Sequence, residues 1–244
     1  MGVKRRNGRP RQGDELKILL IDIETSPCIA YAWTLRDKFI TVDRLIESGH
    51  TLCYTAKWLG SKELIFDSVH ASSPRKMIAG VHKLLDEADV LVHYNGANFD
   101  VPVLEAEFLL HGMLPPSPFH QVDLYKTVKR FRLPSRKLDF VAQALGLGAK
   151  VRHKGMDLWK ECMAGDDAAW RTMERYNRQD VKLLEKLYYE LRPWILNHPN
   201  MAIADGDTRC PHCGSLNLKW KGYRESITRR YRRFVCRDCG AWGR

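Results

Sequence analysis

The sequence predicts an α/β fold in which helices flank a mixed sheet, followed by a small carboxyl-terminal module. Three observations carry this reading. Ile18 to Thr25 reads Ile-Leu-Leu-Ile-Asp-Ile-Glu-Thr, an apolar run of strand length bounded by polar residues, as in a strand buried on both faces. Asp89 to Tyr94 is a second such run, entered from a helical segment and so expected to lie parallel to the first. Near the carboxyl end Cys210, Cys213, Cys236 and Cys239 form two Cys-x-x-Cys pairs.

Composition limits the alternatives. The chain has 244 residues, 44% of them apolar and 28% charged, as in soluble globular proteins. It has no apolar run near the roughly 18 residues of a membrane span, and its amino terminus lacks the apolar stretch of a secretory signal. Two close cysteine pairs plus scattered Cys28, Cys53 and Cys162 suit a reducing, cytoplasmic setting with one metal site better than a disulfide framework. The net charge of +11 is segregated. Residues 1–12 hold five basic groups and no acid, and residues 201–244 hold ten against four, which together account for all of it. Basic ends on a neutral body point to a polyanionic partner, nucleic acid above all, and to no membrane.

The expected domains are a basic disordered arm over 1–14, an α/β domain over 15–195, a linker over 196–207 and a cysteine module over 208–244. Within the arm, Gly8-Arg9-Pro10-Arg11 faintly resembles an AT-hook core, but a solvated basic tail is the preferred reading. After the first strand, Cys28 to Leu35, Thr51 to Trp58 and Glu63 to Val69 have strand composition and suggest an antiparallel meander. Ser73-Pro74 is a helix start, and that helix should run to about Ala88 with Met77, Val81, Leu84 and Leu85 inward. Asn95-Gly-Ala-Asn98-Phe99-Asp100 should turn into a helix ending near His111 and Gly112. A short strand or turn is expected around Asp123, then helices at about 124–131, 137–146 and 157–163. The longest helical pattern runs from Asp166 to about Trp194, with Trp170, Met173, Val181, Leu184 and Leu187 at helical spacing.

The chemistry starts at Asp22 and Glu24. At i and i+2 they leave the same face of a buried strand, and desolvated carboxylates need a cation or donors to compensate them. A hard divalent cation such as Mg²⁺ or Mn²⁺ fits that requirement. Asp100 falls at a helix start, where capping and metal binding are both open. Tyr176 and Asp180 lie one helical turn apart, and by themselves read first as a core-edge tyrosine and a solvated acid.

Taken as a set, these residues resemble the DEDD superfamily of 3′–5′ exonucleases, which has a ribonuclease H-like fold. Asp22-Ile-Glu24-Thr fits the first motif, Asn95 to Asp100 the second and Tyr176-Asn-Arg-Gln-Asp180 the third. A tyrosine four residues before the last aspartate matches the DEDDy branch; the DEDDh branch would want histidine where Arg175 stands. The resemblance spans about residues 16–191. It implies a hydrolase in which Asp22, Glu24, Asp100 and Asp180 hold two Mg²⁺ or Mn²⁺ ions and Tyr176 orients the attacking water, with its unperturbed pKa of about 10 arguing against a base. It also implies a nucleic acid substrate, DNA favoured, with a single-stranded 3′ end near Asn95, Asn98 and Phe99. A polymerase or another replication or repair protein would then be a partner in trans. Asp123 is open to either a supporting role or a structural cap.

Residues 126–154 hold nine basic groups against one acid, and Arg130, Arg132, Arg136 and Lys137 are candidates for a phosphate-facing rim. The paired cysteine knuckles, each followed by glycine (Gly214, Gly240), resemble a zinc ribbon holding one structural Zn²⁺. Between them Trp220, Lys221, Tyr223, Arg224, Arg229, Arg230, Tyr231, Arg232, Arg233 and Phe234 interleave aromatics with cations, a pattern suited to stacking on bases and pairing with phosphates. Some of those aromatics are expected in the small core instead. Two other functions share these features: a structure-selective endonuclease with the same site, and a non-catalytic nucleic-acid-binding or recruitment module.

Overall fold

The structure, a computed structural model, describes residues 16–34, 36, 39–202 and 208–244. The arm expected at 1–14 lies outside them, as does part of the 196–207 linker. The described residues fall into two compact units, Ile18–Tyr188 and a second that holds Tyr189–Arg244.

The first unit is built on β1 (Ile18–Thr25), whose residues from Ile18 to Ile21 are all buried. Its apolar run has two neighbours to satisfy. On one side it pairs antiparallel with β4 (Thr51–Trp58), and on the other parallel with β6 (Val90–His93). Strands β5 (Ile65–Ser68) and β7 (His120–Asp123) complete a mixed sheet of order β5-β4-β1-β6-β7. The parallel pairing with β6 is the one expected from the intervening helix.

The meander is corrected at its first strand. Among the described residues of the Cys28–Leu35 segment only Ile29–Ala30 is extended, as β2, and it pairs with β3 (Leu45–Glu47) in a separate two-stranded sheet. Tyr31 and Trp33 are exposed there. Strand composition reports a liking for pleated surface, not which strand will supply the partner.

Helices cover both faces. Leu19, Ile21 and Ile23 form one face of β1 and pack with Met77, Ile78, Val81 and Leu85 of α1 (Pro74–Glu87) and with Val101, Leu104 and Phe108 of α2 (Asp100–Leu110). Ser73 caps α1, its Oγ accepting from the Lys76 N–H at 3.4 Å, and Pro74 fills the first turn. Short helices α3 (Leu124–Val128) and α4 (Leu138–Ala144) follow. On the opposite face Leu52 and Cys53 pack with Leu158 and Cys162 of α5 (Met156–Met163) and with Trp170, Met173 and Tyr176 of α6 (Asp167–Leu191). Asp166 starts α6 by accepting from Ala169 N–H at 2.7 Å, and Lys57 of β4 is ion-paired with Glu185 to hold the helix over the sheet. No helix among the described residues is long and apolar enough to cross a membrane.

The second unit holds β8 (Leu218–Glu225), β9 (Arg230–Cys236) and β10 (Trp242–Gly243) in a three-stranded antiparallel sheet of order β10-β9-β8. Its core is small: Cys210, Cys236 and Ala241 are buried, with Cys213, Leu218 and Cys239 partly so.

Candidate active site

Period-two alternation places the carboxylates of β1. Ile21 and Ile23 face α1 and α2, so Asp22 and Glu24 face α6. There one ligand oxygen each from Asp22, Glu24 and Asp180 lies within 4.8 Å of the others. Asp180 is only 1% exposed, and its Oδ1 is buried without a hydrogen-bond partner among the described residues.

Asp100 reaches the same strand differently. The ladder between β1 and β6 ends at Leu20 opposite Val92. Beyond it the Ile23 N–H has no strand partner and instead donates to Asp100 Oδ1 at 3.2 Å. The carboxylate therefore sits against the backbone between Asp22 and Glu24 rather than capping its own helix. It lies outside the tight three-acid set, though close enough for its charge to act on Asp22 and Glu24.

The turn that delivers Asp100 is fixed from below. Asp123 Oδ1 caps α3 through Tyr125 N–H at 3.0 Å and also accepts from Asn95 N–H at 2.8 Å, with Asn95 in the left-handed region at φ 66°. A single carboxylate thus serves as cap and as anchor for the turn. His93 Nδ1 accepts from Gly96 N–H at 3.0 Å, and a Cβ at Gly96 would meet the His93 ring at 2.6 Å, so the position requires glycine. Burial lowers the pKa of His93, and its Nε2 donates to Gln121 Oε1 at 3.1 Å as a neutral ring.

Crowding four acids in a desolvated space raises their pKa values. Burial and then the charge of Asp180 push Asp22 well up, and the same two causes push Glu24 up to about 8. Burial lifts Asp100 to about 6 against the lowering by the Ile23 hydrogen bond. Asp180 is raised by burial, less than it would be without Lys150. Such a set favours a multivalent cation, because carboxylate oxygens are hard ligands and their mutual repulsion is what a cation removes.

Two partners were not foreseen from the sequence. Lys150 Nζ donates to Asp180 Oδ2 at 2.5 Å and to the Tyr176 hydroxyl at 3.1 Å. Burial alone would lower its pKa, but the charges of Asp180 and Tyr176 raise it overall. Asn177 Nδ2 donates to Asp22 Oδ2 at 2.7 Å. Lys150 stands in coil 30 residues before Asp180, and only its membership of the basic 126–154 stretch could have drawn attention to it. Asn177 lies inside the Tyr176–Asp180 motif. Around Tyr176 the rings of His153 and Trp159 lie at 4.8 and 6.2 Å.

A cleft of about 840 Å³ opens beside Asp22, lined by Tyr94, Asn95, Tyr125, residues 133–139 and Lys150. It includes Arg136 and Lys137 but not Arg130 or Arg132, which are exposed outside it. Asn98 Nδ2 donates to Asn95 Oδ1 at 3.0 Å, and Phe99 is 45% exposed at the start of α2.

In the second unit the four cysteine sulfurs converge within 4.8 Å, with Cys210 Sγ 3.6 Å from Cys239 Sγ and Cys213 Sγ 3.7 Å from Cys236 Sγ. The knuckles are built alike. Gly214 N–H returns to Cys210 O at 2.8 Å and Gly240 N–H to Cys236 O at 3.0 Å, each glycine at positive φ. His212 Nδ1 donates to Arg192 O at 3.0 Å and is not part of the cluster. The cluster is compatible with a zinc ribbon.

No curated protein matches the sequence. Among solved structures, the family B DNA polymerase from the hyperthermophilic archaeon Pyrobaculum calidifontis is similar, at 22% identity with a TM-score of 0.57. The match covers 74% of this chain and 25% of the polymerase, so the chain spans about a quarter of that protein's length. The likeness is one of fold. The RNase_H_2 family profile, described as RNase_H superfamily, matches residues 46–192. With a ribonuclease H-like mixed sheet and a profile match over more than half its length, the chain belongs to the RNase_H superfamily.

Proposed function

We propose that the chain is a metal-dependent 3′–5′ exonuclease of the DEDDy type, hydrolysing phosphodiester bonds at single-stranded 3′ ends. The observation that carries this reading is the convergence of Asp22, Glu24 and Asp180 within 4.8 Å, with the Tyr176 hydroxyl tied to the same Lys150 as Asp180. DNA is the favoured substrate because the polymerase whose fold the chain shares is a DNA polymerase. A replication or repair protein, such as a polymerase acting in trans, is the fitting partner.

Asp22, Glu24, Asp100 and Asp180 would hold two Mg²⁺ or Mn²⁺ ions, whose charge would stabilise the attacking and leaving oxygens of the displacement. Asn177 and the Ile23 N–H fix Asp22 and Asp100 without help from any ligand. Lys150 sets the distance between Asp180 and the Tyr176 hydroxyl. Burial first, then Glu24 and Asp180, raise the Tyr176 pKa, so the phenol stays protonated near neutral pH. It can orient a water by hydrogen bonding but not take its proton. Arg136 and Lys137, which line the cleft with Asp22, would pair with phosphates. The cysteine cluster would hold one structural Zn²⁺. Its sulfur separations of 3.6 and 3.7 Å approach the roughly 3.8 Å edge of a tetrahedron with Zn–S bonds of about 2.3 Å.

Single- and double-stranded DNA and RNA, each labelled at the 5′ end and separately at the 3′ end, test the proposal with Mg²⁺ or Mn²⁺. The expected result is a 5′-labelled ladder shortened stepwise and immediate release of the 3′ label, fastest on single-stranded DNA. Cuts confined to internal positions of branched substrates would replace this reading with the endonuclease. Binding with no cleavage under either metal would favour a recruitment module.

A further inference from the structure

Strand register divides the carboxyl-terminal hairpin into two chemically different faces. Leu218 pairs with Cys236, Trp220 with Phe234, Tyr223 with Arg232 and Glu225 with Arg230, so these side chains share one face. Phe234 and Cys236 are buried, and that face is therefore the one on the cysteine core. The alternate residues Lys219, Lys221 and Arg224 of β8, and Tyr231, Arg233 and Val235 of β9, lie on the other face. Trp242 pairs with Val235 and joins them, and Arg244 follows two residues later on the same side.

Side-chain contacts agree with this division. On the core face Arg232 lies 4.8 Å from the Trp220 ring and Arg230 5.0 Å from Tyr223. On the outer face Arg233 and Lys221 lie 5.1 and 5.9 Å from Trp242, and Arg244 lies 4.7 Å from Tyr231. A bulge after Trp220 sets Lys221 and Gly222 opposite Arg233, whose Nε donates to Lys221 O at 2.9 Å. Gly222, at φ 67°, gives the bulge its left-handed residue.

The charges separate by face as well. Glu225, the only acid between Leu218 and Cys236, is on the core face and ion-paired with Arg230. The outer face carries Lys219, Lys221, Arg224, Arg233 and Arg244 with no acidic side chain, and none of the five is ion-paired among the described residues. Trp242 is 49% exposed among them.

We propose that this outer face binds a single strand of nucleic acid, with phosphates on the five cations and a base stacked on Trp242. Unpaired cations ask for a polyanion. A half-exposed indole set between two of them asks for a ligand with its own aromatic plane, which an acidic peptide lacks and a duplex keeps inside its stack. The inference requires no cleavage and stands whether or not the carboxylate site cuts.

The test uses the full chain with Asp22→Asn throughout, so that bound strand survives, and reads anisotropy of a fluorescein-labelled oligothymidylate across a salt series. Replacing Lys219, Lys221, Arg224, Arg233 and Arg244 with Gln should flatten log affinity against log salt by roughly 0.7 for each phosphate no longer neutralised. Trp242→Ala should weaken binding by about 10-fold or more and leave the slope unchanged, since stacking releases no counterion. Arg232→Gln on the core face should leave the slope unchanged. If the fivefold variant fails to fold by its far-UV spectrum, Lys221→Gln with Arg233→Gln takes its place, with a smaller flattening expected. An unchanged slope in the outer-face variants, or equal flattening by Arg232→Gln, would overturn the proposal. So would polyglutamate competing as well as the oligonucleotide, which would assign the face to an acidic protein.

Discussion

The two clusters of ligand-type residues are built in opposite ways. The acidic set is drawn from three distant segments, β1, α2 and α6, and its side chains are held by the protein: Asp22 by Asn177, Asp100 by the Ile23 N–H, Asp180 by Lys150. Around it lie a five-stranded sheet and its covering helices. The cysteine set comes from two local knuckles, and the cysteines themselves make up most of the surrounding core. One site is therefore a demand placed on a fold that stands without it, and the other is the centre of its own fold. Removing ligands should cost function in the first and structure in the second.

The largest expected effect separates chemistry from stability. Asp22→Ala or Asp180→Ala should lower cleavage by about 10³-fold or more, the scale on which removal of a charge-stabilising group acts. The melting temperature of Ile18–Tyr188 should hold or rise in Asp22→Ala, because a repelling carboxylate is gone, and fall in Asp180→Ala, which leaves Lys150 without its ion-pair partner. Turnover near wild type in either variant would remove these residues from the site.

Cys213→Ser should do the reverse. A core made of the four cysteines with Leu218, Phe234 and Ala241 cannot hold β8, β9 and β10 together without the cluster. Trypsin should then cut rapidly at Arg229–Arg233, while cleavage activity on a short oligonucleotide stays within a few-fold. Full protease resistance would show that the hairpin needs no metal. Tyr176→Phe should fall between, with a loss of about 10- to 100-fold from water positioning alone. A Tyr176→Phe variant with no activity beside an active Asp180→Ala would reverse the roles.

The smallest effect concerns pH. Glu24 and Asp100 have folded pKa values raised to about 8 and about 6 by burial, above the unfolded values of about 4. Such groups bind protons more tightly when folded, so stability is highest below about pH 4 on their account and is lost as pH rises through the folded values. Without added divalent cation, the melting temperature should fall between about pH 5 and pH 8, by roughly 2–4 °C for each kcal/mol lost. Saturating Mg²⁺ should flatten that fall. A melting temperature that rises over this range would mean that the acids are already compensated within the protein.

Much of this contrast was legible in the sequence, and the failures have a common cause. Asp22 and Glu24 announced themselves because alternation within one strand is a local signal. The tyrosine at α6 and the cysteine knuckles were legible for the same reason, each being a spacing within a few residues. Lys150 was not, since it meets Asp180 from coil across 30 residues, and no local pattern encodes that meeting. The Cys28–Leu35 segment failed likewise: its residues suit a strand, but β4 had already taken the edge of β1 that it would have needed. The outer face of the hairpin lay between the two cases. Lys221, Arg224, Tyr231 and Arg233 were visible, but Lys219, Trp242 and Arg244 joined them only through strand pairing with β9.

Mn²⁺ binding to the full chain, followed by the paramagnetic signal of the free ion, measures the central distinction directly. Wild type should take up two Mn²⁺ per chain, Asp180→Asn should bind fewer and more weakly, and Cys213→Ser should bind as wild type does, because the acidic site is held by the sheet and helices. Unaltered Mn²⁺ uptake by Asp180→Asn, or its loss in Cys213→Ser, would contradict that assignment.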